Sequence, residues 1–114
     1  MKAFVALLGI SAAAAAGDVS GTWKLAGNIE AVRISRVCTL QQTANKLAGK
    51  CKNQTDEVAL TGEVNGKIVS WKYDVMYEGL KLTLAFQGTL DPETAIRGKI
   101  ETSGASGAFT AHKQ

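Results

Sequence analysis

The sequence predicts an all-β protein, an eight-stranded antiparallel up-and-down barrel that follows an N-terminal export signal. Three observations carry this expectation. Beyond residue 17, apolar side chains recur at every second position in runs bounded by turn residues, the periodicity of half-buried strands. An apolar-x-Gly-x-apolar motif recurs as LAGKC, LTGEV, FQGTL and IRGKI, more weakly as ASGAF, and places Gly49, Gly62, Gly88, Gly98 and Gly107 on inward faces. Glycine at such positions lets a sheet coil and close. All connections are short, as in a meander. An open β-sandwich is the alternative architecture.

The first sixteen residues, MKAFVALLGISAAAAA, give a positive start at Lys2, an apolar stretch from Ala3 to Ser11 and a run of small residues suited to cleavage after Ala16. That is the pattern of a secretory signal, too short to span a bilayer. The domain reading is therefore a leader over 1–16 and one barrel over 17–114, secreted or periplasmic. Without Lys2, twelve basic and ten acidic residues remain, a net of +2. So small and scattered an excess argues against nucleic acid or an acidic membrane surface as partner, and no later stretch is apolar enough for membrane insertion by a helix.

The first strand is VSGTWKL (19–25) and the second EAVRISRVCTLQQ (30–42), separated by AGNIE. A two-residue turn at Ala44-Asn45 sets Thr43 opposite Lys46 and, further out, Cys38 opposite Cys51 in a non-hydrogen-bonded pair, where side chains approach most closely. These are the chain's two cysteines, and a cross-strand disulfide fits them. A zinc site needs two further ligands, and His112 is the single histidine, so no metal and no cofactor is implied. A disulfide would persist in an exported protein and, closing a short loop, would stabilise by about 3 kcal/mol. The fourth and fifth strands meet at Asn65-Gly66, a strong turn signal, which sets Leu60 opposite Trp71, Gly62 opposite Val69 and Val58 opposite Tyr73. MYEG (76–79) leads to LKLTLAFQGTL. DPET (91–94), with Pro92 suited to a type I turn, leads to AIRGKIET, and SGAS (103–106) leads to GAFTAHK.

The opening Gly-x-Trp (GTW, 21–23), the meander and an inward Trp resemble the calycin group of lipocalin-like and avidin-like barrels. IVSWKY is similar to the avidin pattern around an interior Trp, here Trp71, whereas KLAGNIEA departs from the polar set that avidins place after their first Trp. The alternation GTW…CTLxQ…KLxGxC…LTGxVxGKxVxWKxD…LTxxFxGTLD…GxFTA resembles, over nearly the whole chain after the leader, a family of small secreted bacterial proteins without an assigned function. The lipocalin likeness implies that a basic residue near the chain end lies across the first-strand Trp. Lys113, with inward parity and pairing toward Ile96, would be that residue for Trp23.

In a meander, connections alternate between the two ends. TANK, NG and DPET fall at one end; AGNIE, KNQTDE, MYEG and SGAS, longer or more flexible, fall at the other, which is the expected mouth of any ligand site. Parity sends Trp71, Tyr73, Val75, Leu80, Leu82, Leu84 and Thr102 inward near that end, and the loops add Asn28, Asn53 and Tyr77. Aromatic residues at such positions also serve as plain core. Arg36 shares the parity of Ile34 and Cys38, so strict alternation points it into the barrel across from Asn53, where it needs an acid or an anionic ligand. A β-bulge near Ser35-Arg36 would turn it outward instead. The candidate binding residues are thus Arg36, Trp71, Tyr73, Tyr77, Leu84 and Thr102.

His112 has outward parity. Asn53-Gln54-Thr55 matches a glycosylation sequon. The carboxylates fall outward or in turns, so no catalytic pair emerges. The leading functional reading is a secreted, non-enzymatic barrel that binds a small, largely apolar molecule, anionic if Arg36 points inward. The alternative is an extracellular or envelope module with a filled core that serves structure or protein contacts. Oligomeric state is left open.

Overall fold

The computed structural model describes residues 18–114; the leader expected over 1–16 lies outside the described residues. Eight strands follow one another: β1 (Gly21–Ile29), β2 (Val32–Thr43), β3 (Lys46–Lys52), β4 (Glu57–Asn65), β5 (Ile68–Tyr77), β6 (Leu80–Leu90), β7 (Ala95–Thr102) and β8 (Ala105–Lys113). Each pairs antiparallel with the next, and β8 returns to β1 through pairs running from Trp23–Lys113 to Ile29–Gly107, so the barrel is closed. No helix occurs among the described residues. The alternation that predicts strands also sets their faces: Ile34, Arg36, Cys38 and Leu40 of β2 are buried, with solvent-facing residues between them.

Closure depends on places where one strand's backbone presses against the next. Gly88 and Gly98 stand directly opposite each other on β6 and β7. A Cβ on Gly98 would lie 2.0 Å from the Gln87 carbonyl oxygen and 2.4 Å from the Gly88 Cα. No side chain fits there, and the two strands bend together.

The same crowding explains two departures from the sequence expectation. Gly27-Asn28 reads as part of a loop, yet β1 continues through it, and the turn falls at Glu30-Ala31. Gly27 is needed for contact, since a Cβ there would meet the Ala108 carbonyl oxygen of β8 at 2.5 Å. The β4–β5 hairpin turns at Gly66-Lys67 rather than Asn65-Gly66, with Gly66 at φ 62. Gly62 therefore faces Trp71, and Val64 faces Val69, in place of the Leu60–Trp71 and Gly62–Val69 pairs. The bulky indole sits beside the residue without a side chain. Because the slip is two residues, every side chain keeps its face.

The connections at the two ends differ less than the sequence suggests. Glu30-Ala31, Glu78-Gly79 and Ser103-Gly104 at one end, like Ala44-Asn45 and Gly66-Lys67 at the other, are two-residue turns; each end adds one four-residue connection, 53–56 and 91–94. The latter contains a cis Asp91–Pro92 peptide where the sequence predicts a type I turn.

One end is plugged. Val19, fully buried, folds over it: its N–H donates to Gln42 Oε1 at 2.9 Å, and its carbonyl accepts from Trp23 Nε1 at 2.9 Å. Lys113 lies opposite Trp23 with its Nζ 5.9 Å from the indole centroid. It does not pair toward Ile96, which faces Ala111; the Lys113 N–H goes to the Thr94 carbonyl. Cys38 and Cys51 form the cross-strand disulfide with Cα atoms 4.0 Å apart, the close approach of a non-hydrogen-bonded pair. Above this floor, Trp71, Phe86 and Phe109 make an aromatic cluster: Trp71 stacks on Phe86 at 5.2 Å, and Phe109 meets both edge-on.

Replacing Gly98 by Ala should lower stability by about 2 kcal/mol or more, because the atoms in the way are backbone. Urea unfolding of G98A measures this, and a midpoint unchanged from the parent would contradict the closure argument.

Candidate functional site

Toward the open end, β2 keeps its register through Ala26–Ser35 and Leu25–Arg36. There is no bulge, so the Arg36 side chain enters the lumen and is only 8% exposed. Its Nη1 donates to Asp56 Oδ1 at 2.8 Å and reaches the Cys51 carbonyl oxygen at 3.4 Å. Asp56, not Asn53, is the partner. Asn53 begins the four-residue connection, and its Oδ1 accepts from the N–H of Thr55 at 2.8 Å, from the Thr55 hydroxyl at 2.9 Å and from the N–H of Asp56 at 3.0 Å. These bonds bend the chain back on itself and bring the Asp56 carboxylate over the lumen. Asp56 remains 48% exposed, so the pair neutralises Arg36 more than it adds stability.

From β2 the guanidinium extends across the barrel to β5, where its carbon lies 5.4 Å from the Tyr73 ring centroid. Tyr73 rests in turn on Phe86, centroids 5.2 Å apart. Arg36 and Tyr73 together form a bridge, with the aromatic cluster below and open space above. That space is a cavity of about 450 Å3, with walls that include Ile29, Val75, Leu82 and Leu84. A larger concavity of about 910 Å3 lies along the outer face of β3–β7 among Lys46, Glu63, Lys72, Arg97 and Lys99, outside the lumen.

Five of the six candidate residues, Arg36, Tyr73, Tyr77, Leu84 and Thr102, line the 450 Å3 cavity. Tyr73 pairs with Leu84, and Thr102 stands one residue beyond the Glu101 that faces Ala85, so Tyr73, Leu84 and Thr102 form a row across three strands. Tyr77 is at the rim, 44% exposed. Trp71 lies one layer down, in the aromatic cluster. Leu80, inward by parity, is 67% exposed at the lip beside Tyr77, because the β5–β6 hairpin rises beyond the barrel. Pairing of β4 with β5 stops at Thr61–Lys72. Glu57–Leu60 and Tyr73–Met76 are thus unpaired across that seam, which leaves the wall beside Tyr73 without a hydrogen-bonded seal. Sequence parity misses Asp56, whose position depends on the conformation of the connection. The one available signal is an Asn-x-x-Asp spacing that suits a side-chain-capped turn.

Three buried polar atoms here have no hydrogen-bond partner: Trp71 Nε1, Tyr73 Oη and Thr102 Oγ1. Each such group costs about 1–3 kcal/mol when left unpaired. Burial pushes the Tyr73 phenol up to about 12, and the opposing Arg36 charge offsets only part of that. Among the described residues no three His, Cys, Asp or Glu side chains gather as metal ligands.

The folded protein holds the Tyr73 proton more tightly than the unfolded chain does. Its contribution to stability is therefore full below pH 10 and is lost as pH rises from 10 through about 12. Unfolding free energies measured across this range should fall, and Tyr73→Phe should remove that share of the decline. An identical slope in Y73F would show that the phenol is not buried.

Compared by sequence, the chain matches no family model and no curated protein. Compared by structure, it is similar to a redesigned β-barrel (TM-score 0.62, 18% identity, 84% of this chain and 91% of that one). It is also similar to EF1p2_mFAP2b bound to DFHBI (TM-score 0.58, 16% identity, 84% and 94%) and to the redesigned barrel mFAP1 bound to DFHBI (TM-score 0.56, 15% identity, 84% and 94%). At these identities the likeness is one of fold: a closed eight-stranded antiparallel barrel.

Proposed function

We propose that this chain is an exported, non-enzymatic β-barrel that binds a small, largely apolar molecule in the cavity above the Arg36–Tyr73 bridge. The observation that carries the reading is the coexistence of that 450 Å3 apolar-walled space with buried hydroxyls that have no partner. A filled structural barrel gains by closing such a space, because unfilled volume and unpaired polar atoms both destabilise. A binding site has reason to keep them.

Two further points support it. The barrels of similar fold named above include two bound to DFHBI, which agrees with a capacity of this architecture for a small molecule. The seam between β4 and β5, beside the exposed Met76, Tyr77 and Leu80, offers an apolar way in. The leader over 1–16 and the disulfide fit export to an oxidising compartment, and the calycin likeness belongs with this reading.

Native mass spectrometry of the full chain isolated from its own host, before and after unfolding, tests the proposal. A small molecule retained when folded and released on unfolding is the expected result. Val75→Trp, which adds an indole at a half-buried wall position, should abolish that retention while the barrel stays folded. A clean apo mass from the host protein would favour the structural or protein-contact module instead.

A further inference from the structure

Resting on that reading, the chemical class of the ligand can be narrowed. An inward arginine by itself suggests an anion, but Arg36 already has its counter-charge in Asp56 at 2.8 Å. A ligand carboxylate would have to displace Asp56, exchanging one ion pair for another, or share the guanidinium with it at the cost of like-charge repulsion. Neither exchange provides much to select for. What lacks a partner is the Tyr73 hydroxyl, in a residue 97% buried, and, two strands away along the same row with Leu84 between them, the Thr102 hydroxyl. Both residues line the cavity.

We propose that the cavity takes a neutral, largely apolar molecule bearing one hydrogen-bond acceptor of the carbonyl type, a ketone, aldehyde or ester. Its oxygen accepts from the Tyr73 hydroxyl. Arg36 and Asp56 act as a fixed polar floor: the guanidinium lies 5.4 Å from the Tyr73 ring centroid and acts on the phenol oxygen only as a donor, so the hydroxyl proton is left for the ligand. The hydrocarbon portion lies against Val75, Leu82 and Leu84 and extends toward the Met76–Tyr77 rim. A donor that is buried and unpaired in the empty site discriminates more sharply than an exposed one, since a ligand without an acceptor leaves it unpaired.

The test is a matched panel: a medium-chain methyl ketone, the fatty acid of the same length and the corresponding alkane, each titrated into the full chain and followed by native mass spectrometry and calorimetry. The ketone should bind roughly tenfold more tightly than the alkane and more tightly than the carboxylate. Tyr73→Phe should erase the ketone's advantage over the alkane without weakening the alkane. Equal binding of ketone and alkane in the parent would overturn the carbonyl inference while leaving a cavity that binds apolar molecules. A carboxylate preferred over the ketone, and tightened further by Asp56→Asn, would overturn it in favour of an anion site on Arg36. If none of the three binds, the ligand-binding reading falls and this inference with it.

Discussion

A guanidinium placed inside a β-barrel must be neutralised and solvated by the protein, and meeting that requirement sets where this barrel's core ends. Arg36 reaches across the lumen, takes its counter-charge from Asp56 on one side and lies over the Tyr73 ring on the other. Below this bridge, the aromatic cluster of Trp71, Phe86 and Phe109 and the Val19–Trp23 plug fill the interior. Above it, the charged layer halts hydrophobic packing, and the cavity begins. Burial of an ion pair is a poor source of stability. Its value in this position is geometric: it holds a floor across a space that side chains could otherwise fill.

The wall around that space is less continuous than the wall around the core. The barrel is tightest where glycines let strands touch, as at Gly88 and Gly98. Toward the mouth, β5 and β6 outrun their neighbours and pair only with each other, and the lip they form is apolar at Met76, Tyr77 and Leu80. Rigidity at one end and a loosely sealed seam at the other follow from the same distribution of hydrogen bonds. A site that must admit a molecule benefits from that asymmetry.

Much of the architecture was legible in the sequence because period-two alternation and turn residues are local signals. The facing of Cys38 and Cys51 followed from counting outward from Ala44-Asn45, and the strand faces survived even where the β4–β5 register did not, since a slip of two preserves parity. What was not legible came from non-local sterics. Gly27 looks like a turn residue, but only the approach of β8 shows why it is a glycine. Asn65-Gly66 signals its turn correctly, yet the position of the turn is fixed by Gly62 making room for Trp71. In the site, parity alone brought Arg36, Tyr73, Leu84 and Thr102 together. It could not supply Asp56, which arrives through the Asn53-capped connection, and so it left open whether an acid of the chain or an anionic ligand neutralises Arg36. Asp56, 2.8 Å away, is that acid.

Nuclear magnetic resonance of the Arg36 guanidinium distinguishes a side chain immobilised as a bridge across the lumen from one that moves in solvent. A bridging Arg36 should give a resolved, slowly exchanging Nε–H signal, with its side-chain protons shifted by the Tyr73 ring current and nuclear Overhauser contacts to that ring. An averaged, rapidly exchanging signal, as expected of the exposed Arg33 and Arg97, would place the guanidinium in solvent and rule the bridge out.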